Sequence, residues 1–201
     1  MLMMKSLLGC SLLFLAILTV RAGDYSQMPG HFGAFGSEEN FAVADEFVLS
    51  QDTKIRQINW WGDNMPKPAK NFKIRLFSDN EGQPRTLLLE TDRASILKRK
   101  TGDFLIRGEG RDDPDLYPEF QYTLVLRRPF AAKAGVKYWL SVLSEIGDQW
   151  TWEMSGSEQN PGVQRSLYGD PINGPWTPFD YNTAFVIGPV PKQRLGKPIR
   201  R

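Results

Sequence analysis

Short runs in which apolar and polar residues alternate constrain the fold of this chain more than any other feature. Phe72, Ile74 and Leu76 alternate with charged residues, and the same period of two recurs over 122–126. Side chains of a strand point to the two faces of a sheet in turn, so each run has one buried face. Gly, Pro, Asn and Asp separate the runs, as is typical of strands and turns. The pattern predicts strands at 42–49, 55–61, 71–77, 86–90, 104–107, 120–127, 137–144, 150–154, 163–167 and 183–187.

Ten strands with one buried face each predict two antiparallel sheets packed face to face. The predicted fold class is therefore all-β, a two-sheet antiparallel β-sandwich of jelly-roll type, over residues 41–190. Segment 87–98 has the nearest approach to a helical period and predicts one short helix at most. Residues 23–40 are glycine-rich and aperiodic, and we expect an extended leader there.

The N-terminal 22 residues have the pattern of a signal peptide. Lys5 precedes an apolar run that ends at Val20, and Ala22 offers a small residue for cleavage. An uncleaved anchor is the alternative, but the run is shorter than the ~20 residues that span a bilayer. Cys10, the one cysteine, lies in this segment, so the remaining domain has no disulfide and depends on its core. We expect a secreted or periplasmic protein with no membrane association after cleavage.

The charge balance argues against nucleic acid as a partner. The chain has 25 basic and 23 acidic residues, and the signal peptide removes Lys5 and Arg21 but no acidic residue. Five of the remaining basic residues lie in segment 191–201, which we expect to be a disordered basic tail. The body of the domain is therefore mildly acidic, whereas a nucleic-acid binder needs a basic face.

Four segments carry a family resemblance: VADEFVL at 43–49, NWWG at 59–62, FKIRLF at 72–77 and YWLS at 138–141. In this order they resemble strand motifs of a group of uncharacterised bacterial secreted β-sandwich domains. The resemblance covers about residues 41–190 and implies a fold and export, without an activity. Similar proteins often end in an apolar sorting helix and basic tail of the PEP-CTERM type. Here no apolar helix precedes the basic end, so we expect release rather than anchoring.

The residues give no catalytic signature. His31 is the only histidine and lies in the expected leader, which argues against a zinc site of His and Cys and against a Ser-His-Asp triad. Nucleophile-elbow and phosphate-loop motifs are absent from the sequence. We therefore expect no catalytic residue, no metal site and no cofactor. Paired carboxylates of a glycosidase remain an alternative, with solvated loop charges favoured for the acids concerned, which are Asp63, Asp112, Asp113, Asp115, Glu145, Asp148 and Glu153. A calcium loop at Asp112, Asp113 and Asp115 is likewise less favoured than an exposed acidic turn.

Adjacent aromatic residues on strands must point to opposite faces. We therefore assign Trp61 and Trp139 outward, and the rings assigned inward are Trp60, Tyr138, Trp150 and Trp152. Outward indoles can stack on sugar rings, with a nearby carboxylate such as Asp63 accepting hydroxyl groups. Trp176 and Tyr181 offer a loop-borne version of the same surface. The alternative is that the leader or long loops cover these rings.

These observations predict a secreted, non-catalytic binding or surface-interaction module. A glycan or cell-surface polysaccharide is the favoured partner, bound at an aromatic platform of Trp61, Trp139, Trp176 and Tyr181 with Asp63. A carbohydrate-active enzyme with paired carboxylates and a purely structural envelope or matrix protein are the other two hypotheses. Binding to a glycan array distinguishes the first hypothesis from the third, and the exposure of Trp61 and Trp139 to solvent is the most informative single observation.

Overall fold

A computed structural model describes residues 24–37, 41–91, 95–107, 115–145, 150–156, 162–166, 175–178 and 180–188. The expected signal peptide at 1–22, the expected tail at 191–201 and the loop with Asp112 and Asp113 lie outside these residues. Within them the chain forms thirteen strands and one helical turn. Their bounds are β1 Tyr25–Gln27, β2 Pro29–Gly36, β3 Phe41–Val48, β4 Thr53–Gly62, α1 Pro68–Asn71, β5 Phe72–Asn80, β6 Gln83–Thr91, β7 Ile96–Arg107, β8 Asp115–Ala132, β9 Lys137–Ser144, β10 Thr151–Ser155, β11 Val163–Ser166, β12 Thr177–Pro178 and β13 Phe185–Gly188.

The strands form two antiparallel sheets. The seven-stranded sheet has the order β1-β13-β4-β10-β2, and β8 pairs with both β4 and β7. The six-stranded sheet has the order β12-β11-β3-β9-β5-β6. The predicted all-β fold with two antiparallel sheets is confirmed, and each of the ten predicted segments contains a strand. The jelly-roll connectivity stays a prediction.

The main core lies between the two sheets. Trp60, Tyr138, Trp150 and Trp152 all belong to it, as their predicted inward orientation requires. Phe72 meets Trp150 edge to face at 4.7 Å between ring centroids, a geometry that aromatic quadrupoles favour. Each large side chain buried this way contributes about 1.5–3 kcal/mol. Burial of this kind is what holds together a domain without disulfides.

The expected leader at 23–40 is wrong, because much of that segment is part of the seven-stranded sheet. β1 pairs with β13, and β2 pairs with β10. Glycine-rich segments show no alternation of side chains, so their strand pairing depends on backbone hydrogen bonds to distant partners that local pattern does not reveal.

The expected short helix at 87–98 is also wrong, because the described part of this segment belongs to β6 and β7. Leu76 pairs with Leu89 and Phe77 pairs with Leu87, so a bulge at Leu88 interrupts the period of two. Leu89 packs on the core between the sheets, and Leu87 packs on a second cluster. In the part of the chain that the structure describes, none of the helical structure has the length and apolar character needed to cross a bilayer.

Candidate functional site

The three tryptophans expected to form the aromatic platform are covered. Trp61 and Trp176 are each 6% exposed and Trp139 is 1% exposed. Trp139 and Trp176 pack with Phe77 in a second cluster, outside the main core, and Trp139 Nε1 donates a hydrogen bond to Asp79 at 2.8 Å. The rings avoid the main core as predicted, yet the expectation of exposed indoles is wrong. The structure agrees with the alternative, in which the three indole rings are covered.

The remaining two platform residues have different surroundings. Tyr181 is 38% exposed, and its ring lies 5.2 Å from that of Phe35. Asp63 is buried, and its carbonyl oxygen accepts hydrogen bonds from the hydroxyl of Tyr122 and from Trp150 Nε1. Asp63 therefore stabilises the end of β4. Because Trp61 lies on the seven-stranded sheet and Trp139 on the six-stranded sheet, and both point away from the core, the predicted residues do not form one surface.

Strand alternation brings two glutamates to the outer face of the seven-stranded sheet. Phe120 of β8 packs on the main core, so its neighbour Glu119 points the other way. Trp152 of β10 lies in the core, and Glu153 points away from it by the same rule. Both carboxyl groups meet the imidazole of His31 on β2. His31 Nδ1 is 3.3 Å from Glu119 Oε2 and 3.3 Å from Glu153 Oε1.

The carboxyl groups of this cluster are buried beside a half-exposed imidazole. The side chains of Glu119 and Glu153 are 1% and 0% exposed, whereas that of His31 is 49% exposed. Glu119 Oε2 and both carboxyl oxygens of Glu153 lack a hydrogen bond of full geometry, and the polar groups near them belong to His31 and to the other glutamate. An unpaired buried polar atom costs about 1–3 kcal/mol, and an unpaired buried charge costs more. The arrangement is therefore unfavourable unless a proton or a cation joins it.

The environment of Glu153 favours binding of a positive species. Burial, the neighbouring carboxyl group of Glu119 and the charge of Asp103 together raise the pKa of Glu153 from 4.5 to about 10, although the backbone N–H of His31 acts in the opposite direction. A carboxyl group that retains its proton at neutral pH can exchange that proton for a metal ion. The proton and the cation would compete for the same oxygens.

The distances within the cluster fit metal coordination. One nitrogen and two carboxylate oxygens lie within 4.8 Å of one another. Two ligands bound at about 2.0–2.1 Å to a tetrahedral Zn²⁺ are about 3.3–3.4 Å apart. The 3.3 Å separations from His31 Nδ1 to the two carboxyl oxygens match this value.

The backbone at His31 adopts an uncommon conformation. Its φ is 57°, in the left-handed region that few residues other than glycine occupy. Such conformations cost free energy and cluster at functional sites. Here the conformation is found at the one histidine of the chain, beside two buried carboxyl groups.

A family model described as a domain of unknown function (DUF7901) matches residues 24–187. The chain belongs to this family. The DUF7901 match includes β1 and β2, so His31 lies within the family domain and not ahead of it. No curated protein matches the chain, and no solved structure matches it either.

Sequence reasoning identified only part of the site in this DUF7901 domain. The candidate carboxylates predicted from the sequence include Glu153 but not Glu119. His31 lies in the expected leader and is therefore not among the predicted site residues. The one sequence signal for the site is a lone histidine between glycine and phenylalanine. The segment around it lacks the alternation of apolar and polar residues that predicts a strand. Among the other candidate acids, Glu145 pairs with Lys73 at 2.6 Å. Asp112, Asp113, Asp148 and the side chain of Asp115 lie outside the described residues.

Proposed function

We propose that this domain is an exported, non-catalytic binding module whose ligand is a divalent metal ion held by His31, Glu119 and Glu153. The observation that carries the proposal is the pair of buried carboxyl groups that meet at one imidazole nitrogen, each 3.3 Å from it. Two carboxylates and a neutral imidazole together carry two negative charges, which a divalent cation neutralises. The absence of a metal site expected from the sequence depends on an expected leader that contains His31, whereas His31 lies on β2 of the domain.

The donor set indicates which ions to test. Imidazole nitrogen suits Zn²⁺ and Fe²⁺, and carboxylate oxygen also suits Mn²⁺. Ca²⁺ takes six to eight oxygen ligands, so a mixed set of three donors fits it poorly. Zn²⁺ bound by three protein groups retains a fourth position for water. We therefore expect Zn²⁺ to bind more tightly than Mn²⁺, and Ca²⁺ to bind least.

Binding accounts for the burial of these groups better than glycoside hydrolysis does. A glycosidase needs both carboxyl groups to reach the scissile bond of a sugar. Glu119 and Glu153 are 1% and 0% exposed, so a sugar has no access to them, whereas an ion needs only the side on which His31 is exposed. The covered indoles likewise give carbohydrate binding no support. Export is supported by Lys5 and the apolar run up to Val20.

The test is calorimetric titration of the untagged, chelator-treated domain with Zn²⁺, Mn²⁺ and Ca²⁺. We expect one Zn²⁺ per chain, and at least tenfold weaker binding after His31→Asn, Glu119→Gln or Glu153→Gln. Asn is chosen at position 31 because it tolerates a positive φ. Glu90→Gln is the matched control, since Glu90 pairs with Arg75 on the other sheet. Equal Zn²⁺ affinity in the control and the three site variants would refute the proposal.

A further inference from the structure

The middle of β2, the strand that carries His31, departs from regular pairing with β10. Ala34 pairs with Glu153 and Pro29 pairs with Ser155, so four residues of β2 lie opposite a single residue of β10. Beyond this stretch both ends of the strand are fixed. Gly156 N–H donates to the carbonyl oxygen of Met28, and Ser37 N–H donates to that of Trp150. His31 therefore lies between these two fixed points, on a section that does not pair regularly with β10.

The same section covers the buried carboxyl groups. Glu119 and Glu153 come from β8 and β10, and the only member of the cluster with substantial exposure is His31. β2 also runs beside β7, where Leu105 is fully buried although neighbouring Phe104 is 50% exposed. An ion that approaches from the exposed side of His31 passes the section at 30–33, and once bound it attaches that section to β8 and β10.

We propose that the middle of β2 is a gate for the metal site, which opens to admit the ion and is held shut by the ion once His31 coordinates it. This inference rests on the proposed metal-binding function. His31 then has two roles: it binds the ion, and through the ion it holds the middle of β2 closed over the site. The left-handed backbone of His31 is consistent with a segment that is held in place by its surroundings. A ligand that binds only the closed state lowers the population of the open state by the factor 1 + [L]/Kd.

The experiment is amide hydrogen exchange, followed by NMR on the whole domain, with EDTA or with Zn²⁺. At free Zn²⁺ of about 100 times Kd, exchange of the amides at 30–34 should slow by up to about 100-fold. Amides of β5 and β9, on the other sheet, should change little. In His31→Asn, Zn²⁺ should no longer slow exchange at 30–34. Glu119→Gln provides a second variant, since it leaves the β2 backbone unchanged, and it should give the same loss.

Calorimetry on the same samples separates the two proposals. Zn²⁺ binding without selective slowing at 30–34 would overturn the gate and leave the metal site intact. An absence of Zn²⁺ binding would overturn both. Slowing that persists in both site variants, while each has lost Zn²⁺ affinity, would also overturn the gate. Selective slowing in the wild type that disappears in both variants would support it.

Discussion

Glu119 and Glu153 meet on one face of the seven-stranded sheet although β4 lies between their strands. Gly62 of β4 pairs with Phe120 on one side and with Trp152 on the other, so the two glutamates flank the same point of β4. Their carboxyl oxygens lie within 4.8 Å of each other and of His31 Nδ1. The register of β4 with its two neighbours is therefore what assembles the cluster.

The first prediction is that Glu153→Gln removes the stabilisation that Zn²⁺ gives. In EDTA at neutral pH the variant and the wild type should have free energies of unfolding within about 1 kcal/mol of each other, because the amide has the shape of a carboxyl group whose raised pKa keeps it uncharged. At a free Zn²⁺ concentration of 100 times Kd, the free energy of unfolding of the wild type should rise by about 2.7 kcal/mol, and that of the variant should rise little. Urea denaturation under both conditions measures this, with Glu90→Gln as the control. A variant that gains as much from Zn²⁺ as the wild type would contradict the metal site.

The second prediction concerns pH and Asp45 of β3. Asp45 Oδ2 accepts hydrogen bonds from Thr183 N–H at 2.6 Å and Thr183 Oγ1 at 3.1 Å, but burial dominates and raises the pKa of Asp45 from 3.8 to about 7. A raised folded-state pKa favours the folded state below pH 3.8, and this contribution is lost as pH rises through about 7. At ~1.36 kcal/mol per pKa unit, the loss is about 4 kcal/mol.

Comparison with Asp45→Asn isolates this effect from other titrating groups such as Glu153. The stability of the wild type relative to the variant should fall between pH 4 and pH 7, because only the wild type carries a carboxyl group at this position. Urea denaturation at several pH values in EDTA gives the difference. Parallel stability curves for the two proteins over this range would show that Asp45 does not titrate as predicted.

The sequence predicted the layers of the fold well because the main core imposes a period of two on the strands that line it. Trp60 and Trp152 could be assigned inward from their neighbours alone. At Leu88 a bulge interrupts the alternation of inward and outward side chains, so the rule misassigns which residues face the core. At β2 the glycines leave no alternation of apolar and polar residues, so the rule predicts no strand there. Local pattern carries no information about which strand lies beside which.

The candidate site depended on that missing information. Glu119 lies among other charged and polar residues of β8, Glu153 is the one charged residue of β10, and each alone resembles an ordinary solvated acid. Their meeting requires the pairing of β4 with both β8 and β10, and His31 joins only through the pairing of β2 with β10. Long-range pairing of this kind is a property of the whole fold, so no short motif predicts it.

The third prediction is that Gly62→Ala is strongly destabilising. A Cβ at this position would lie 2.6 Å from Cζ2 of Trp150 and in contact with the carbonyl oxygen of Thr151. Trp150 packs edge to face on Phe72 and has little freedom to move. We expect a loss of about 1–3 kcal/mol or more, as for other overpacked cores. Gly36→Ala is the control, because no heavy atom lies within 4 Å of its added Cβ. Similar stabilities of the two variants would contradict the close packing of β4 on Trp150.

The fourth prediction tests the coverage of the indoles directly. All six tryptophans lie in described parts of the chain and none is more than 6% exposed. Native fluorescence should therefore be blue-shifted and weakly quenched by acrylamide, and quenching should rise severalfold in urea as the rings become hydrated. Trp61→Phe and Trp139→Phe should leave native quenching nearly unchanged, because neither ring meets solvent. A large drop in quenching for either variant would mean that its indole is accessible, and stacking of a sugar ring on the outer faces of the sheets would then regain its physical basis.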